Sequence, residues 1–354
     1  MTNLVKGKTQ KQFLENKLTQ LLYIYGISGQ EERVQKYLLR ELSELNSEFV
    51  KQDKYGNIHA MFKVGTGVGA TLHLNSHMDT VRDVKEDKYI RNDNGVFTAV
   101  LPDGTRGILG ADDRAGIAII LTILNFPPKF DGMIKVSFYR EEEIGCVGSS
   151  NSDLGFLEDV DFSMTFDRHG SSDIVAGTWG RPFCCNEVGN WLEGLAKKEN
   201  YKFKMVEGGL SDAYTVSENG INAINLSVGY YNEHTTREYL VFKELYTSLE
   251  FAKLAISDLN RVYDDFSGVP FESKWIKEGG YNNFGWDYKS DYADEIVTNE
   301  GFYAPVAYLY ENYGIVTDGA YEMVMTYDEV CDLMKQLNGV KEAMEGATQY
   351  KNMI

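Results

Sequence analysis

Five short segments hold the residue types that bind metal ions and move protons. They are Leu74-Asn75-Ser76-His77-Met78-Asp79-Thr80, Gly110-Ala111-Asp112-Asp113-Arg114-Ala115-Gly116, Arg140-Glu141-Glu142-Glu143-Ile144-Gly145, Phe166-Asp167-Arg168-His169-Gly170 and Gly229-Tyr230-Tyr231-Asn232-Glu233-His234-Thr235-Thr236. Imidazoles and carboxylates in one place suit zinc or a similar divalent ion with mixed nitrogen and oxygen ligation. That many acids together need compensating positive charge, which two cations would supply. The remaining histidines, His59 and His73, fall inside strand patterns and read as hydrogen-bonded structural residues. Gly65-Thr66-Gly67-Val68-Gly69 lacks the Lys and helix of a phosphate loop and reads as a turn.

The elements around these segments explain how they would meet. Residues 9–26 and 31–46 have helical patterning, and Ser28 with Glu31 predicts a capping box ahead of the stripe Val34, Leu38, Leu42 and Leu45. Strands are expected at 57–64, 70–75, 133–139, 161–166, 173–176, 202–206 and 223–228, and helices at 114–125, 188–198 and 245–262. Residues 79–105 read as a hairpin excursion with turns at Asn94-Gly95 and Asp103-Gly104. Alternating strands and helices imply a mainly parallel sheet covered on both faces. Four of the five segments follow an expected strand and the second opens a helix. In an open parallel sheet those ends converge on one crevice.

The chain has 354 residues, 43% hydrophobic and 25% charged, which is globular composition. A net charge of −18 weighs against nucleic acid or an anionic membrane as partner. Four cysteines, with Cys184 and Cys185 adjacent, form no disulfide framework and suit a reducing compartment. The opening Met1–Lys6 lacks the apolar core of a signal peptide, so a cytoplasmic protein is expected. Residues 261–354 hold 17 acids against 7 bases and 11 of the 23 tyrosines. This predicts a catalytic domain at 1–264 and an acidic, aromatic-rich extension at 265–354, with a loop-like run at 274–294 and a helix at 326–337. So many aromatics are costly to leave in water, which argues for an ordered extension.

In order and local sequence, the five segments resemble the co-catalytic di-zinc exopeptidase superfamily, which includes peptidase T, carboxypeptidase G and the glutamyl and leucyl aminopeptidases. The resemblance extends to Ser28-Gly29-Gln30-Glu31-Glu32 and Asp53-Lys54-Tyr55-Gly56-Asn57 and covers residues 14–262. It implies a three-layer α/β/α sandwich with a mixed, mostly parallel sheet. By the same resemblance His77 and Asp167 bind one ion, Glu143 and His234 bind the other, and Asp112 bridges them. Glu142 matches the general base, and Asp79 the carboxylate that orients the His77 ring. The Asp112–Asp113 peptide is expected to be cis. The implied cofactors are two divalent ions, zinc before cobalt or manganese, and the implied substrate is a short peptide.

The lidded relatives insert about a hundred residues between the fourth and fifth motifs, whereas here Asp167 and His234 are 67 positions apart. The chain therefore resembles the lidless form, without the inserted lid or dimerisation domain, and an aminopeptidase is expected first. Candidates for contact with substrate are Tyr230, Tyr231 and His169, with Arg168 beside them. Asp212 in Gly208-Gly209-Leu210-Ser211-Asp212-Ala213 would hold a substrate amino group or brace the site. A carboxypeptidase or N-acyl amino acid amidohydrolase, a single-zinc glutaminyl cyclase and a non-catalytic docking protein are the alternatives. The oligomeric state is not legible.

Overall fold

In the computed structural model, residues 9–270 are described. Helices α1 (Gln10–Leu22) and α2 (Glu32–Ser43) lead into strands β1 (Phe49–Gln52), β2 (Ile58–Val64) and β3 (Thr71–His77). An excursion follows, with β4 (Tyr89–Asp93), β5 (Val96–Val100) and β6 (Arg106–Gly107). Helix α3 (Ala111–Asn125), β7 (Gly132–Tyr139), α4 (Val147–Ser150), β8 (Phe162–Arg168) and β9 (Asp173–Val175) come next. Then come β10 (Gly177–Thr178), β11 (Arg181–Pro182), α5 (Asn186–Lys198), β12 (Lys204–Val206), α6 (Asp212–Ser217) and β13 (Ala223–Ser227). The described chain closes with β14 (Tyr230–Tyr231), β15 (Tyr239–Val241) and α7 (Phe242–Leu259).

The main sheet has the order β1-β2-β7-β3-β8-β13-β9-β12. Its four central strands β7, β3, β8 and β13 run parallel, while β1, β2 and the β9–β13 pairing are antiparallel. The sheet is thus mixed, as expected. Because side chains alternate across a strand, β3 sends Leu72 and Leu74 to one face and His73, Asn75 and His77 to the other. The apolar face packs with the isoleucines of α3 and the leucines of α1 in the main core. The other face is covered by α6, whose Ala213 and Val216 pack with Val175 and Ala223. That makes the three layers. A second sheet, β14-β15-β5-β4, carries the expected hairpin, which turns at Asn94-Gly95.

The polar face of the sheet carries a buried chain of hydrogen bonds. His59 Nδ1 and His73 Nε2 each lie 2.9 Å from Ser137 Oγ, and His73 Nδ1 lies 2.9 Å from Ser163 Oγ. Burial pushes the His73 imidazole down to about 3, so it is neutral. Both histidines are structural in placement, as their strand positions suggested.

The Ser28–Glu31 capping box is not formed: no side chain caps α2, whose N-cap residue is Glu31. Ser28 Oγ donates instead to Asp79 at 2.8 Å, and the buried Glu31 carboxylate takes the Arg140 guanidinium at 2.7 Å. Both groups are claimed by partners distant in sequence, which outweighs a local cap. The capping box that does form is Thr9 with Gln12 at the start of α1. Cys184 and Cys185 are buried and unbonded to each other. Among the described residues, no helix is long and apolar enough to cross a membrane. The expected loop at 274–294 and helix at 326–337 lie outside the described residues, as does the extension from residue 271 onward.

Candidate metal centre

Each of the five segments arrives at the same end of the sheet. His77 is the last residue of β3, Glu142 and Glu143 follow β7, Asp167 lies near the end of β8, Asp112 sits in the first turn of α3, and His234 follows β14. Parallel β7, β3 and β8 bring three of these segments together simply by ending side by side. Helix α3 approaches β8 closely at Gly116, where an added Cβ would lie 2.0 Å from the Phe166 carbonyl oxygen. Only glycine fits there, and that closeness brings Asp112 over the strand ends.

The two oxygens of Asp112 face two different histidines. Oδ1 lies 2.9 Å from His77 Nε2, and Oδ2 lies 3.1 Å from His234 Nε2. His77 Nε2 is also 3.5 Å from Asp167 Oδ1 and 3.9 Å from Glu142 Oε2. His234 Nε2 lies 2.8 Å from Glu143 Oε2. The ligating atoms of His77, Asp112 and Glu143 lie within 4.8 Å of one another, as do those of His77, Asp113 and Asp167. The Asp112–Asp113 peptide is cis, as expected.

Asp79 organises the surrounding groups. Its Oδ1 lies 3.3 Å from His77 Nδ1, short of full hydrogen-bond alignment, and accepts the Glu142 main-chain N–H at 3.0 Å. Its Oδ2 accepts from Glu143 N at 3.2 Å and from Ser28. One fully buried carboxylate therefore braces the His77 ring and the turn that carries both glutamates. Arg114, the only fully buried arginine side chain among the described residues, lies beneath and donates to the carbonyls of Met78 at 2.6 Å and Gly26 at 3.2 Å.

Taken out of water, the acids crowd one another's charge. Burial, reinforced by the Asp112 charge, lifts the Asp167 carboxyl to about 6, and burial lifts Glu143 to about 7 against the pull of His234. Burial and then the Asp167 charge hold Glu142 well above its usual range. Asp112 goes the other way: although burial opposes it, hydrogen bonds to His234 and His77 keep it ionised. Burial disfavours charge on His77, but Asp112, Asp167 and Asp79 outweigh it and raise the ring well above its ordinary value. His234 is raised likewise, chiefly by Glu143.

This donor set fits divalent cations. Four carboxylates and two imidazoles converge, and Glu143 Oε1 is buried without a hydrogen-bond partner. Among the described residues, the ion pairs of Asp112, Glu142, Glu143 and Asp167 are with histidines alone. Unpaired buried charge is costly unless a cation supplies the balance.

The remaining candidates separate. Tyr230 is buried and its hydroxyl donates to Asp167 Oδ1 at 3.1 Å, so it holds a carboxylate of the cluster. Tyr231 donates to Glu244 at 2.7 Å and stacks on Tyr239. His169 Nδ1 pairs with Glu233 at 2.7 Å, next to His234. Arg168 turns to Asp173 at 3.0 Å. Asp212 opens α6 with both oxygens buried and unpartnered, and burial lifts it to about 7 near His77 and Asp167.

Sequence reasoning did not single out two residues. Asp113 stands in the cluster and accepts the Gly116 N–H at 2.9 Å. Its adjacency to Asp112 at a helix start was a usable signal. Glu238 is the other, and nothing local marks it.

Residues 108–251 match the family model described as M42 glutamyl aminopeptidase. Peptidase T of Clostridium perfringens is 33% identical over 165 residues, which is 37% of this chain and 40% of that protein. Peptidase T of Caldanaerobacter subterraneus subsp. tengcongensis is 31% identical over 142 residues, 30% of this chain and 34% of that protein. The matches thus span less than half the length of these curated relatives. In structure, the chain is similar to the aminopeptidase PepT of Bacillus cereus, with a TM-score of 0.61 at 19% identity over 70% of this chain and 98% of that one. A tripeptidase of Staphylococcus aureus gives 0.63 at 19% identity over 71% of this chain and 99% of that one. At those identities the likeness is one of fold. The similarity is to exopeptidases of the M42 and peptidase T kind.

Proposed function

We propose that the protein is a metallo-aminopeptidase that hydrolyses short peptides with two divalent cations, zinc first. The observation that carries this reading is Asp112, whose two oxygens each address a different histidine, each with its own flanking carboxylate. In this reading His77 and Asp167 hold one ion, Glu143 and His234 the other, and Asp112 spans both. The matched relatives are peptidases, which supports the same class.

Cations held by these residues would supply Lewis-acid polarisation of a scissile carbonyl and a more acidic water. Glu142 takes the water's proton and passes it to the leaving amine, a task suited to a carboxylate whose proton affinity burial has raised. Asp79 keeps the His77 ring and the Glu142 backbone in register throughout. Tyr230 fixes the Asp167 carboxylate. His169, steadied by Glu233 and about a quarter exposed, is the substrate-facing group, Tyr231 flanks it, and Asp212, with both oxygens buried and unpartnered, would hold a substrate amino group or brace the site. The catalytic domain is residues 1–264, in the lidless form, and 265–354 is an appended module. Carboxypeptidase or amidohydrolase specificity would use the same residues with a different end of the substrate.

The test is zinc content per purified chain together with cleavage of Leu-Gly-Gly and acetyl-Leu-Gly-Gly. Two ions and cleavage of the free peptide alone support an aminopeptidase. Preference for the acetylated peptide transfers the reading to an amidohydrolase or carboxypeptidase. One ion with cyclisation of an N-terminal glutamine would replace hydrolysis altogether.

A further inference from the structure

The chain from His234 returns to the start of α3 through Glu238. Its fully buried carboxylate accepts three successive main-chain N–H groups: Gly110 at 2.7 Å on Oε2, and Ala111 at 2.7 Å and Asp112 at 3.3 Å on Oε1. The first N–H groups of a helix have no partner within it and form a natural anion site. Here that site is filled by a side chain of the same protein, from 126 positions away.

A plain helix cap would explain less than this. Gly110 is left-handed at φ 68°, and Asp112 (φ −76°, ψ 110°) and Asp113 (φ −114°, ψ 44°) are not helical. Glu238 therefore fastens an irregular leader, and that leader is where Asp112 stands. At its own end, Glu238 closes a turn on Thr235, with its N–H 3.0 Å from the Thr235 carbonyl, one residue after His234. It also precedes β15, which is anchored to β5 through Leu240 and Phe97. The Lys88 ammonium, donating to the Leu109 carbonyl at 2.6 Å, lies close enough to offset the buried charge.

We propose that Glu238 is a positioning residue that locks the Asp112 turn to the His234 loop and so sets the geometry of the Asp112–Glu143–His234 cation site. The proposal rests on the two-cation reading above. Glu238→Gln keeps the volume but turns an amide N–H toward one of the three donors, so the leader is released at one point while the fold around it is retained.

The experiment is cobalt(II) titration of the full chain, followed by visible absorption, for wild type, Glu238→Gln and Glu238→Asp. Substitution of a group that holds metal ligands in place typically weakens binding about 10–100-fold. The expected result is two cobalt ions in wild type, and in Glu238→Gln one of the two weakened by that factor with an altered spectrum. Glu238→Asp, which keeps the charge, should recover part of the affinity. Equal affinity for both ions in wild type and Glu238→Gln, with only the thermal midpoint of the cation-free protein lowered, would overturn the proposal and leave a purely structural cap. If Glu238→Gln does not fold, Glu238→Asp decides by the same criterion. Failure of wild type to bind two cobalt ions would instead sink the two-cation reading.

Discussion

Glu142→Gln separates the role of base from that of ligand. The Glu142 side chain is 12% exposed, with Oε2 3.9 Å from His77 Nε2, within reach of a water held at the cluster. Its main-chain N–H donates to Asp79 at 3.0 Å, and Cys146 Sγ lies 3.5 Å from Oε1. Glutamine keeps the volume, that backbone bond and an acceptor for the thiol, so the turn carrying Glu143 stays in place. What is lost is the ability to take a proton. A positioned general base contributes about 10²–10⁴-fold, which raises the barrier by about 3–5 kcal/mol at 1.36 kcal/mol per tenfold. The assay is kcat and KM for leucine p-nitroanilide and Leu-Gly-Gly, with zinc measured on the same samples. The expected outcome is a kcat reduced by that factor, KM changed little and zinc content unchanged. A kcat within tenfold of wild type would refute the assignment of Glu142 as base. Loss of zinc in step with activity would make Glu142 a ligand.

Chelation should invert the pH dependence of stability. Without cations the folded chain holds protons on Glu143 and Asp212 (about 7), on Asp167 (about 6) and on His77 and His234, whereas the unfolded chain releases them near 3.8–4.5 and 6.5. Groups with raised values stabilise the fold at low pH: the contribution of the three acids fades as pH rises from about 4 through about 7, whereas that of His77 and His234 is fully present below 6.5 and fades only above it. Asp112 and Asp79, whose values are lowered, act the other way only below about 3.8. Thermal midpoints of EDTA-treated protein should therefore fall across pH 4–8, and added zinc should restore them most at high pH; a chelated midpoint that climbs from pH 4 to 7 contradicts this. His73→Ala should cost about 2–4 kcal/mol in urea unfolding, through a cavity and the loss of one hydrogen bond each from the Ser137 and Ser163 hydroxyls, which keep His59 and Asn75 as partners, with zinc content unchanged. Lost zinc in a folded His73→Ala protein would place that histidine in the site. Gly116→Ala forces α3 off the Phe166 carbonyl and the Asp113 carboxylate, at about 1–3 kcal/mol, and should weaken zinc binding as well. An unchanged urea midpoint would mean that the close approach of α3 to β8 is absent in solution.

The amino-acid sequence by itself determined the elements that local patterning can specify. The alternating strand at residues 57–64, the apolar strand at 133–139, the helix stopped at Asn125 ahead of Pro127-Pro128, and the hairpin at Asn94-Gly95 all stand where their patterns put them. Placing ligand types at strand ends and at one helix start was also enough to predict that the five segments converge, because a parallel sheet gathers such ends in one place; singling out His77, Asp112, Glu143, Asp167 and His234 within them took the resemblance to the di-zinc exopeptidases. Short elements such as β1, α4 and α6 carried too few residues for any period to show. Ser28 and Glu31 had a good local cap available and gave it up for Asp79 and Arg140, because burying those carboxylates demanded partners that only packing could bring. Which oxygen of Asp112 meets which histidine, and which of the two tyrosines at 230 and 231 turns inward to Asp167, depended on strand register and on the twist of a two-residue strand. Glu238 shows the limit most plainly. A glutamate four residues past a histidine is unremarkable in a chain, and it gains its role only when the fold brings it within 2.7 Å of a helix start 127 positions earlier. Local propensity acts over a few residues, whereas the groups that hold this site in shape meet across more than a hundred, where packing and the satisfaction of buried polar groups decide.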